Sequence, residues 1–163
     1  MIRLIDRIGG DTITKLEKAA AQRLVESACL FEQGHYLAVI YLSGYAAEMT
    51  LSLAYLGLIG YGPNDEVKPE RRNELLKLAR GSKNVSHRSH PIDGWAKLLI
   101  DEKDTHPNSG YDKQFRSAIL GRVNAVCRHW SHHLRYRDIS ASSSQAKEVG
   151  EAARWLVDHS HEM

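Results

Sequence analysis

Cysteine and proline are scarce in this chain: two of its 163 residues are cysteine and four are proline. Cys29 and Cys127 supply neither a disulfide framework nor a zinc-finger spacing, and both fall in apolar helical patterns that suit a reducing compartment. With four prolines and twelve glycines, collagen-like and low-complexity chains are excluded. Charge is also missing locally. Between 33 and 64 the only formally charged residue is Glu48, and from 113 to 137 there is no acid at all. The opening MIRLIDRIGGD is too charged, and its apolar content too short, for a secretory signal, so the cytoplasm is the expected location.

What is present describes one soluble globular domain. Hydrophobic residues make up 42% of the chain and charged residues 26%, well outside the range of disordered chains. A chain of this length buries enough surface for a core without metal or disulfide staples. We therefore expect a single domain over 1–163, with its core at about 12–160.

Strand signals are poor and helical periodicity runs almost throughout. The first helix is expected over about 12–33. Thr14 stands three residues before Glu17 in a capping-box spacing, and Gly34 is the stop. A second helix over about 35–59 is apolar all round. In length, 36–60 could span a bilayer, but Glu48 sits mid-helix among Ser43, Gly44, Thr50 and Ser52, and no second span exists to cover it. The reading is the central helix of a soluble bundle, with no membrane. Gly62, Pro63 and Pro69 punctuate a loop over 60–72, and a helix follows through Arg80. Pro91 is expected at the first position of the next helix, with Asp93 in its first turn. The stretch 101–110 is expected to break that helix, further helices are expected at about 111–128 and from about 145, and the segment 128–144 between them ends in a serine-rich loop. The fold class is all-α: a bundle of four long antiparallel helices with one or two short ones.

The acid-free window 113–137 carries Lys113, Arg116, Arg122, Arg128, Arg135 and Arg137, together with His129, His132 and His133. A local charge of +6 in a chain of net charge +2 marks an anion-facing surface, or else a solvated face whose acidic partners come from other helices. Arg116, Arg122, Arg135 and Arg137 are candidate phosphate contacts, and Trp130 and Tyr136 candidate stacking faces. Arg128 and His133, four residues apart, are the minimum equipment for metal-free RNA cleavage. The guanidinium would hold phosphate while the imidazole exchanges a proton with a ribose hydroxyl. Arg122 and His129 make a second such interval. Metal is not expected: His87-x-x-His90 and His129-x-x-His132 place imidazoles three apart, but the basic window lacks acidic ligands and its arginines would repel a dication. No cofactor is expected. Glu48 shares one helix face with Tyr41, Tyr45 and Ser52. It reads either as a carboxylate serving a site or as a buried ion pair, with an arginine of the basic window as a candidate partner.

Three stretches, in order, resemble one family. FEQGHYLAVIYLSGYAAEMTLSLAY at 31–55 resembles the second-helix signature of HEPN domains (higher eukaryotes and prokaryotes nucleotide-binding), with Gly34, Tyr36, Ala38, Tyr41, Gly44, Tyr45, Ala46 and Glu48 in its positions. SHPIDGWAKLL at 89–99 is similar to the family's His-Asp-Leu helix opening, and WSHHLRY at 130–136 to its Trp-x-x-x-Leu-Arg-Tyr element. The resemblance implies a helical bundle, often dimeric, often encoded beside a nucleotidyltransferase or in a defence or toxin–antitoxin context. Many members are metal-independent ribonucleases with an Arg-x4-6-His motif and a polar residue after the arginine, wording that Arg128, His129 and His133 satisfy. Members with the Trp-x-x-x-Leu-Arg-Tyr element frequently lack that activity. Taken together, these expectations favour a homodimeric accessory or binding protein for RNA or nucleotide. The alternatives are a ribonuclease toxin and a purely structural partner of a nucleotidyltransferase.

Overall fold

An apolar helix with no polar face has nowhere to sit but the middle, and the computed structural model puts it there. It describes residues 12–81, 90–105 and 110–163. Six α-helices follow in chain order: α1 (Ile13–Glu32), α2 (Tyr36–Leu58), α3 (Pro69–Gly81), α4 (Ile92–Thr105), α5 (Lys113–His129) and α6 (Ser143–Asp158). A short 3-10 helix, His132–Tyr136, lies between α5 and α6. Among the described residues there is no strand, only an isolated bridge between Thr12 and Glu66. The all-α expectation holds. The α2 helix packs against α1, α4, α5, α6 and the 3-10 helix, while α3 reaches the rest through α4. By length and composition α2 is the one described helix able to cross a membrane; here half of its most apolar window is covered by the other helices.

Small residues on α2 let its neighbours come close. Ser43, Gly44, Ala46 and Ala47 are all fully buried. Ser43 Oγ meets Ser27 Oγ of α1 at 2.8 Å, so two buried hydroxyls satisfy each other. Gly44 lies under the indole of Trp130, where an added Cβ would come within 1.9 Å of Cδ1. A similar approach joins α3 to α4: a Cβ on Gly94 would stand 2.2 Å from the Ala79 carbonyl oxygen.

The ends of α1, α2, α5 and α6 match the expected ranges to within about two residues, whereas α3 begins at Pro69, inside the expected loop, and α4 runs on to Thr105 through the expected break at 101–110; capping differs as well. The cap of α1 is Thr12, whose side chain accepts from the Lys15 N–H, and not Thr14. Thr14 lies inside the helix and donates its hydroxyl to the Pro63 carbonyl at 2.9 Å, tying α1 to the loop before α3. That tertiary partner outcompetes the local capping box with Glu17. Gly34 does end α1, with φ of 77°. Pro91 stands one residue before α4, and its carbonyl takes the Trp95 N–H at 2.9 Å. The serine-rich stretch expected as loop supplies the cap of α6, a complete capping box between Ser142 and Gln145. His87 and Ser89, named in the sequence reading, lie outside the described residues.

Candidate functional site

A carboxylate on a central helix needs a partner, and its partner here is an imidazole. His90 Nδ1 lies 2.7 Å from Glu48 Oε2, with side-chain exposures of 29% for His90 and 12% for Glu48. The expectation of an arginine partner from the basic window is corrected. Those arginines are taken elsewhere: Arg116 by Asp104 at 2.7 Å, Arg128 by Glu148 at 2.6 Å, and Arg135 by the Tyr41 hydroxyl at 3.5 Å. A carboxylate only accepts, so His90 Nδ1 is the donor of this bond, and Nε2 is an acceptor when the ring is neutral. Position 90 precedes α4, and its ring lies against Tyr45 of α2.

Aromatic rings frame the pair. Tyr45 meets His90 edge-on at 5.3 Å between centroids and Trp130 at 5.4 Å, and His90 meets Trp130 at 5.9 Å. Trp130 donates Nε1–H to the Tyr41 carbonyl at 3.0 Å. Tyr41 donates its hydroxyl to that of Tyr45 at 3.4 Å. Burial, with the neighbouring Tyr41 hydroxyl adding to it, pushes the Tyr45 hydroxyl well above the ordinary tyrosine range. From His90 the rings continue outward, to His132 at 4.9 Å and from there to His133 at 3.7 Å.

The expectation that Trp130 offers a stacking face for a base is corrected as well: only 1% of it is exposed, and Gly44 occupies the space beneath it. An indole in the residue that ends α5 is an anchor for the loop that follows. Tyr136 is the opposite case, 71% exposed, with the Arg135 guanidinium 4.7 Å from its ring centroid. His133 and Arg137 are exposed beside it.

Arg128 and His133 are not joined to each other by any hydrogen bond or ion pair among the described residues. Arg128 belongs to the last turn of α5 and is held by Glu148 of α6, which also takes His129 Nε2 at 3.0 Å. His133 sits on the 3-10 helix, its ring against His132. The second interval is separated too: Arg122 lies over the Trp155 ring at 5.7 Å, while His129 is on Glu148. Glu148 was invisible in the sequence reading, being one acid among several on an amphipathic helix. No group of three or more metal-ligating side chains exists among the described residues.

Glu48 and His90 also line a cavity of about 200 Å³ between α1, α2, α3 and α4, walled by Leu16, Met49, Leu53, Leu75, Leu76 and Trp95. Comparison with family models, curated proteins and solved structures gave no match to this chain.

Proposed function

We propose that this chain is a HEPN-like binding protein that docks single-stranded RNA on the segment 131–137. One observation carries the reading: the Arg135 guanidinium stacked on a Tyr136 ring that is 71% exposed. A large aromatic left in solvent and paired with a cation is a platform for a base, and the guanidinium can hold the adjoining phosphate. His133 and Arg137 are exposed on the same short stretch. Binding is favoured over cleavage because Arg128, the residue that would stabilise a phosphorane, is committed to Glu148. The ribonuclease reading draws on the exposed imidazole of His133 at this surface, and it requires Arg128 to exchange Glu148 for a phosphate. A cytoplasmic homodimer with these segments near the two-fold axis, working beside a nucleotidyltransferase or an antitoxin, completes the proposal. Neither Cys29 nor Cys127 forms a disulfide, which is compatible with that compartment.

The test is filter binding of mixed-sequence RNA at two salt concentrations, beside single-turnover cleavage in EDTA. Affinity should fall with salt by roughly 0.7 log units per log unit for each phosphate contacted. Tyr136→Ala and Arg135→Ala should each weaken binding at least fivefold, about 1 kcal/mol of stacking or ion pairing. Cleavage by the wild type that is lost in His133→Ala moves the assignment to the ribonuclease. Absence of RNA binding at low salt refutes the interface.

A further inference from the structure

Outside the proposed RNA face, the cavity beside Glu48 and His90 combines features that packing alone does not require. An apolar cavity of roughly 150 Å³ is enough to take up benzene. Here about 200 Å³ lies between aliphatic walls, with Trp95 and Tyr45 on its lining. Its lining also carries a carboxylate and an imidazole that are hydrogen-bonded to each other. Glu48 Oε2 is bound to His90 Nδ1, and among the described residues neither Glu48 Oε1 nor His90 Nε2 makes a hydrogen bond. The Tyr45 and Trp130 rings hold the imidazole edge-on, so its remaining nitrogen is positioned.

We propose that this cavity is a binding site for a neutral, benzene-sized ring bearing one hydroxyl, a phenol-type ligand whose O–H donates to the Glu48–His90 pair. Its volume holds one six-membered ring with one or two substituents. Apolar walls reward the ring face, and the carboxylate–imidazole pair rewards a single donor. An anionic ligand would meet the Glu48 carboxylate. A cationic one would leave its hydration for a largely apolar surface. A neutral hydroxyl avoids both penalties. In the liganded protein the Glu48–His90 pair gains a third member, while the pair itself stays intact.

Fluorine NMR on the full chain tests this with 4-fluorophenol and fluorobenzene, which share ring and size and differ in the hydroxyl. Saturable binding of 4-fluorophenol, at least tenfold tighter than fluorobenzene, is expected, since a hydrogen bond to a charged acceptor is worth roughly a factor of ten or more. Glu48→Gln should remove most of that preference while leaving fluorobenzene affinity near the wild-type value. Ser52→Phe, which projects a ring from the cavity lining one helical turn from Glu48, should abolish binding of both probes; circular dichroism establishes that the variant is folded. Three results overturn the proposal: no saturable binding to the wild type, equal affinity for the two probes, or undiminished binding to folded Ser52→Phe. Tighter binding of 4-fluorobenzoate or 4-fluorobenzylamine than of 4-fluorophenol overturns the ligand class. The wild-type comparison among probes decides the matter even where a variant fails to fold.

Discussion

Gly44 offers a perturbation whose sign separates local from tertiary physics. Within a helix, Gly→Ala ordinarily stabilises by about 1 kcal/mol, because glycine loses more backbone freedom on folding. At position 44 the added methyl would lie 1.9 Å from Trp130 Cδ1, 2.1 Å from Nε1 and 2.2 Å from Cγ. Carbon atoms rest at about 3.5–4.0 Å, so the indole must withdraw by well over 1 Å. Nothing gives way easily. Trp130 is 1% exposed, its Nε1 is tied to the Tyr41 carbonyl at 3.0 Å, and its ring is met edge-on by Tyr45 and His90. Overpacking costs about 1–3 kcal/mol and a lost buried hydrogen bond about 1 kcal/mol more. Net of the propensity gain, Gly44→Ala should destabilise by about 1–3 kcal/mol. Gly121 of α5 is the matched control: a Cβ there meets nothing within 4 Å, so Gly121→Ala should stabilise by up to about 1 kcal/mol. Urea denaturation with unchanged m-values measures both. The double variant Gly44→Ala, Trp130→Leu should lose less than the two single losses added together, since the clash is removed with the ring. A Gly44→Ala protein as stable as the wild type refutes the close packing of α2 against Trp130.

Glu48→Ala should lower stability by about 1–3 kcal/mol, between the limits for surface and buried pairs, and a melt unchanged from wild type places Glu48 in solvent. At alkaline pH the tyrosines set the sign. Burial raises Tyr111 to about 12, and its hydroxyl donates to the Met163 carbonyl. The folded state therefore holds this proton more tightly than the unfolded one. The corresponding stabilisation is complete below pH 10 and is lost as pH rises through about 12. Denaturation midpoints should fall over that interval, less steeply in Tyr111→Phe, and phenolate absorbance should show a late-titrating fraction; a profile unaltered by Tyr111→Phe counts against the burial. Light scattering at micromolar concentration should give twice the 18.4 kDa mass of one chain, and a monomer counts against the dimeric arrangement.

Much of the fold was legible because helical periodicity is a local signal. Gly34 marked the end of α1 through a backbone conformation glycine alone adopts cheaply, and Leu24, Ile119, Val123, Val126 and Leu156 lay on the apolar stripes that became the core. What the local signal missed were choices made by distant partners. Thr14 had the spacing of a cap, but the Pro63 carbonyl, 49 residues on, claimed its hydroxyl. The serines before α6 read as loop because a cap belongs to both states, with the decisive Ser142–Gln145 reciprocity visible only in three dimensions.

The site shows the same division more sharply. A lone carboxylate in an apolar helix announces that it has a partner, yet nothing near Glu48 names it. His90 lies 42 positions away, beside a proline that looked like punctuation. In the basic window, residue type predicted charge but not engagement. Arg116, Arg128 and His129 are met by acids from α4 and α6, so the formal charge of the stretch overstates what it presents to an anion. Arg135 and Arg137 follow the helix end, where no neighbouring helix brings an acid within an ion pair among the described residues, and there the window's charge reaches solvent. The same reasoning divides the aromatics. Trp130 stops α5 and is drawn under by the space that Gly44 leaves, whereas Tyr136, six residues on at the end of the 3-10 helix, stays outside. A window uniform in composition therefore divides at the end of a helix: within α5 its Arg116, Arg128 and His129 are matched by acids of α4 and α6, and beyond it Arg135, Tyr136 and Arg137 are exposed.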